Sequence, residues 1–140
     1  MLNYWFYFIV TLLSNPIAEY ELALQKNTVN NTATIHGLWL NYSYPVEHQF
    51  CNNSTLNLTN ISELIPEMEI NWGSLYESNV EFWNHEWIKH GTCSNLTQYE
   101  YFSKGLQLHR ELNDTVLNYC MNKGTCYINY DHNYTLIDYQ

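Results

Sequence analysis

The segment EFWNHEWIKHGTC, residues 81–93, gathers two histidines, two glutamates and a lysine between aromatic residues and ends on a cysteine. In a chain with only 14% charged residues, that concentration of titratable groups points to acid–base chemistry. On a helix, side chains advance by about 100° per residue. With His85 at zero, Lys89 falls at about 40°, Phe82 at about 60°, Glu86 at about 100° and His90 at about 140°. Trp83, Trp87 and Ile88 lie outside that arc and anchor the helix in a core. One face thus presents two imidazoles, a carboxylate and an ammonium.

Zinc is the first chemistry to test. A zinc-hydrolase helix carries two histidines four residues apart on one side. Here His85 and His90 are five apart, with Lys89 between them, and a lysine adds repulsion to a cation site. Neither a metal nor a cofactor is expected. An anionic substrate fits better. Glu86 and His90 are an i,i+4 pair, so the carboxylate can orient the imidazole and raise its pKa. His85 and Lys89 form a small cationic patch suited to non-bridging phosphate oxygens. A solvated face with one ordinary ion pair is the plain alternative. Four functional groups on one face, tethered by Cys93, weigh against it.

Acid–base catalysis needs a second proton carrier, and ATIHGLWL (33–40) supplies His36 in a β-favouring run. Gly37 beside it lets another segment or a ligand approach closely. Trp39 offers a flat face on which a base can stack. Alone, His36 would read as a buried structural histidine; beside the helix it completes a pair.

Around these segments, EYELALQ (19–25) reads as a strand and CNNSTLNLTN (51–60) as a surface loop. ISELIPEM (61–68) is punctuated by Pro66, and NVEFWNHEWIKHG (79–91) is a helix stopped by Gly91. Residues 101–120 carry apolar side chains near helical spacing, with Gly105 as a weak point. The tail, 126–140, is β-like. These alternations predict an α+β domain over residues 19–140. The length allows one domain, and 46% hydrophobic residues make it globular.

A formal charge of −9 is the wrong sign for holding nucleic acid on a broad basic surface. Any phosphate chemistry must therefore use a local cationic site. Residues 1–18 contain no charged side chain, and the apolar run from Tyr4 to Leu13 has signal-peptide length and is too short to span a bilayer. Four cysteines suit two disulfides. N-glycosylation sequons begin at Asn30, Asn41, Asn52, Asn53, Asn57, Asn60, Asn95, Asn113 and Asn133. Together these predict a secreted or lumenal glycoprotein with N-linked glycans.

TIHGLW (34–39) and FWNHEWIKHGTC (82–93) resemble the two active-site segments of the ribonuclease T2 family of secreted or vacuolar acid ribonucleases. NWGSL (71–75) resembles the family's Trp-Pro-Ser-Leu element, with glycine for proline. The resemblance runs from about Tyr20 to Asn113. It implies an antiparallel sheet with packed helices and metal-independent cleavage of single-stranded RNA to a 2′,3′-cyclic phosphate, then a 3′-phosphate. DNA, lacking the 2′-OH, is not a substrate. By resemblance, His90 is the general base, His36 the general acid, Glu86 and Lys89 stabilise the pentacoordinate phosphate, and His85 binds phosphate. Trp39 and Asn41 belong to the first base site, and Phe82, Trp72 and Ser74 to the second. Cys51 and Cys93 match the family's bridge.

Three departures accompany the match. Leu40 stands where proline is usual. Residues 25–34 lack the family's Trp-Pro and early cysteines, and the C-terminal half is shortened. Cys120 can pair with Cys126 or with another molecule. His48, His109 and His132 match nothing catalytic and are expected at the surface. Two other readings remain: a glycoprotein that binds RNA or a receptor with little catalysis, and a truncated product that does not fold stably.

Overall fold

The structure is a computed structural model that describes residues 17–41 and 49–140. The expected leader, apart from residues 17 and 18, and His48 lie outside the described residues. β1 (Tyr20–Asn27) and β2 (Thr32–Leu40) form a hairpin. Four helices follow: α1 (Ile65–Asn71), α2 (Asn79–Lys89), α3 (Gln98–Arg110) and α4 (Asp114–Lys123). β3 (Thr125–Tyr130) and β4 (Leu136–Tyr139) close the chain. The strands make one antiparallel sheet ordered β2-β1-β3-β4. The expected α+β architecture is therefore the observed one.

The sheet's two faces follow from side-chain alternation. Leu22, Leu24, Ile128 and Cys126 face a core built with Trp72, Tyr101, Phe102, Leu106, Leu108 and Val116, all buried. In β2 the core positions are Ala33 and Ile35, then Leu38 and Leu40, so their parity changes midway. The register explains it: Ala23 pairs with Gly37 and Leu24 with Ile35, and His36 is left over as a bulge. Had the strand run on regularly, either Ile35 or Leu38 would have faced outward. The extra residue re-aims His36 away from the core without exposing either.

β2 is an edge strand, and its outward carbonyls are capped by side chains from the helical layer. Trp72 Nε1 donates to His36 O at 2.7 Å, Tyr101 OH donates to Leu38 O at 2.9 Å, and His109 Nε2 lies 2.8 Å from Ala33 O. Such capping satisfies the strand and blunts it against further pairing. His109, expected at the surface, is instead half-buried, because this carbonyl gives its ring a partner inside. His132 is exposed as expected.

Three local expectations change. Pro66 does not interrupt a helix but begins α1, where its missing N–H costs nothing. The 101–120 stretch is two helices, because Asn113 leaves the helical region and caps α4 by accepting from Val116 N. Gly105 is no weak point: a side chain there would strike the Trp72 ring, so α3 needs a glycine to lie against that indole.

Disulfides join Cys51 to Cys93 and Cys120 to Cys126, which answers the open pairing of the second pair. The first closes a loop with a sequence separation of 42, for which chain entropy gives about 4 kcal/mol of stabilisation. Asn113→Ala should cost about 1 kcal/mol by removing the cap of α4. A urea-unfolding midpoint unchanged by that substitution would refute the assignment.

Candidate active site

α2 carries most of the candidate groups. It begins at a capping box, with Ser78 accepting from Glu81 N while the Glu81 carboxylate accepts from Ser78 N. It ends at Lys89, with His90 as its C-cap and a 3-10 turn over Gly91–Cys93. Gly91, expected to stop the helix, instead starts this turn. A side chain there would enter the Trp87 ring. Thr92 Oγ1 donates to Ile88 O at 2.8 Å and accepts from Cys51 N, and Phe50 N donates to Lys89 O at 2.8 Å. With the Cys51–Cys93 bridge, these bonds hold the end of α2 that carries His90.

Glu86 is 1% exposed, a buried carboxylate that requires partners. Trp39 Nε1 donates to its Oε2 at 2.8 Å, and its Oε1 lies 3.4 Å from His36 Nε2. Both partners come from β2, so one carboxylate ties the helix to the bulged strand. Gly37 makes this approach possible, since a Cβ there would collide with the Trp39 indole nitrogen and the Glu86 carboxylate. The expected i,i+4 pairing of Glu86 with His90 gives way to this cross-element pairing. Glu86 does act to raise the His90 pKa, but burial and the nearby positive groups outweigh it.

His90 is 4% exposed and stacks on Trp39 with ring centroids 4.8 Å apart and planes at 22°. Burial is the main reason its pKa falls to about 4; Glu86 opposes the shift, and Lys89, His85 and His36 add to it. His90 is therefore a neutral imidazole, able to accept a proton, at mildly acidic pH. His36 is half-exposed and meets the same indole edge-on, with centroids 5.3 Å apart. Both imidazoles thus contact one indole, one sheltered and one open. Lys89 is half-buried and His85 exposed.

The second set of candidates is arranged differently. Trp72 is fully buried, its indole holding the His36 carbonyl, so its side chain is a strut and offers no face to a base. Phe82 is 6% exposed and packs against His36 at 5.5 Å, positioning that ring more than presenting a surface. Ser74 is half-buried, with its Oγ accepting from Tyr76 N and Glu77 N. Asn41 Nδ2 donates to Asn129 Oδ1 at 2.9 Å. Trp39 is half-exposed, with one face taken by His90.

Sequence reasoning missed Gln25, whose amide donates to Gly73 O at 3.3 Å and ties β1 to the loop after α1. Its signal was parity, a polar residue in line with Ala23 on the non-core face. It also missed Tyr101, for which no motif gave warning. Among the described residues no group of three or more metal-ligating side chains occurs, and no helix is long and apolar enough to cross a membrane.

The fold and site define an α+β protein with two imidazoles near a buried carboxylate. The Ribonuclease T2 family model matches residues 11–139, and the chain belongs to that family. It is 44% identical over 84 residues to intracellular ribonuclease LX of Solanum lycopersicum, covering 57% of this chain and 35% of the relative. It is 42% identical over 88 residues to ribonuclease T2 of Homo sapiens, covering 56% of this chain and 32% of the relative. The chain thus spans about a third of the length of these two relatives. Among solved structures, human RNase T2 superposes with a TM-score of 0.58 at 31% identity, covering 71% of this chain and 59% of that one. RNase NT in complex with 5′-AMP gives 0.62 at 25% identity, covering 85% and 88%.

Two outcomes test this geometry. Unfolded, the His90 imidazole binds a proton below about pH 6.5, but folded it does so only below about 4. The unfolded state therefore binds more protons in that window, and stability falls as pH drops from about 6.5 to 4, by about 3 kcal/mol. In His90→Gln that part of the loss should vanish; parallel stability curves for the two proteins would contradict it. Trp39→Phe should cost about 2 kcal/mol by removing the donor to a buried carboxylate. The cost should shrink in a Glu86→Gln background, and additive effects would rule out the coupling.

Proposed function

We propose that the chain is an endoribonuclease that cleaves single-stranded RNA by metal-independent transphosphorylation. The observation that carries this reading is that His36 and His90 both contact the Trp39 ring, with Glu86 bonded to that indole and beside His36. In this reading His90, neutral because it is buried, takes the proton of the ribose 2′-OH. The 2′ oxygen attacks phosphorus and forms the cyclic phosphate. His36, open to solvent and beside a carboxylate, delivers a proton to the departing 5′ oxygen. Water then opens the ring with the two roles exchanged, leaving a 3′-phosphate.

Lys89 and His85 balance charge on the non-bridging oxygens, and Glu86 holds the His36 and Trp39 rings in register. Base stacking falls to the half-exposed Trp39. DNA does not react for want of the 2′-OH, and no cofactor enters the scheme. The anionic protein meets RNA through this local cationic site alone, which suits transient binding.

The setting we propose is the secretory pathway. Two disulfides favour an oxidising compartment. Eight of the nine sequon asparagines are exposed: Asn30, Asn52, Asn53, Asn57, Asn60, Asn95, Asn113 and Asn133. Asn41, the ninth, is half-buried, with its amide engaged by Asn129. A non-catalytic reading keeps one supporting observation, 34% identity over 97 residues to a ribonuclease-like storage protein of Panax ginseng.

Incubation of a uridine-containing dinucleotide at about pH 5 with EDTA should give a cyclic phosphate. His90→Ala should lower the rate by at least about a hundredfold. Folded, oxidised protein that yields no product would favour the non-catalytic reading.

A further inference from the structure

The non-core face of the sheet continues sideways from the site. Trp39 pairs in register with Glu21, Glu21 with Asn129, and Asn129 with Asp138, so these four side chains form one row across all four strands. In the next row Gly37, Ala23 and Tyr127 line up, with Ala23 fully buried and Tyr127 tilted toward Trp39 at 6.2 Å. The two rows make a shallow floor that begins at the Trp39 indole.

The polar groups of the first row are paired off, except one. Asn41 donates to Asn129, and Asn129 Nδ2 donates to Asp138 Oδ1 at 2.7 Å. Trp39 gives its indole N–H to Glu86. Glu21 is half-buried, yet its carboxyl has no hydrogen bond or ion pair with any described residue. Burial without a compensating donor pushes its pKa up, a cost that a folded chain usually avoids. A carboxylate kept in that state beside a stacking surface suits a donor supplied by a ligand.

We propose that Glu21 is a specificity-determining residue that reads the base of the nucleotide seated against Trp39, and that it favours guanine. This rests on the endoribonuclease reading above. Directly opposed cross-strand side chains have Cβ atoms about 5 Å apart, so a base resting on the indole brings its edge over Glu21. Single-stranded bases are read in this way, by stacking together with hydrogen bonds to the Watson–Crick edge. Guanine presents two adjacent donors there, N1–H and the N2 amino group, which match the two oxygens of a carboxylate. Adenine and cytosine offer one amino donor beside an acceptor nitrogen. Uracil sets its single N–H between two carbonyl oxygens, which repel a carboxylate.

The test uses the whole chain, as wild type and as Glu21→Gln, at about pH 6.5, above the ordinary carboxylate range. The dissociation constants of guanosine 3′-monophosphate and uridine 3′-monophosphate are measured by calorimetry, beside cleavage of GpU and UpU. Wild type should bind the guanosine nucleotide at least about tenfold more tightly and show the same preference in kcat/KM. Glu21→Gln should lose that preference, with uridine binding no weaker and a thermal midpoint no lower than wild type. Equal binding of the two nucleotides by wild type, or a preference unchanged in Glu21→Gln, overturns the proposal. Guanosine-selective binding that needs Glu21, without cleavage of either dinucleotide, supports the role of Glu21 and sinks the endoribonuclease reading.

Discussion

A carboxylate with 1% exposure is costly, and the arrangement of this protein around Glu86 is the answer to that cost. Its two oxygens are met by an indole N–H and an imidazole, both from β2. For those groups to reach it, α2 must lie against the strand edge, and the strand must carry no side chain at position 37. The bulge at His36 is part of the same solution, because it turns the histidine out of the core while its neighbours stay in. Remove any of these and the carboxylate is either crowded or unpaired.

A second layer of support comes from an aromatic frame behind the strand. Trp83 Nε1 donates to Trp72 O at 2.6 Å, and Trp72 Nε1 donates to His36 O at 2.7 Å. α2 and β2 are thereby linked through the segment after α1 as well as through Glu86. Tyr101 and Phe102 pack edge-on against each other and around Trp72. Large rings with one polar atom each are well matched to this position, because they fill volume and satisfy a strand carbonyl together. His36 is therefore held from the backbone side by the Trp72 indole and flanked on the side-chain side by Trp39.

The same economy gives the two imidazoles different surroundings. Both touch Trp39, but His90 sits where water is excluded and its charged form is disfavoured, whereas His36 is open to solvent and beside the carboxylate. Burial, not residue type, distinguishes the two rings. Lys89 and His85 add positive charge near His90 and reinforce the difference.

The sequence by itself determined the α+β class, several of the elements and the candidates for the site. Those signals are local: alternation in 19–25 and 33–40, helical spacing in 79–91, and two segments whose residue types match one family. It also set out the candidates His36, Glu86, Lys89 and His90 before their partners were known. What only the tertiary structure decided was which groups pair, since pairing depends on distances between segments far apart in the chain. A helical wheel put Glu86 with His90, its neighbour four residues on; packing gave it to Trp39 and His36 across the interface. The resemblance put Trp72 and Phe82 in a base site, and only the tertiary structure shows that both rings are buried. Glu21 drew no notice in sequence, where a glutamate in a strand is unremarked. Register alone set it beside Trp39, on a face where an unpaired carboxylate has chemical meaning.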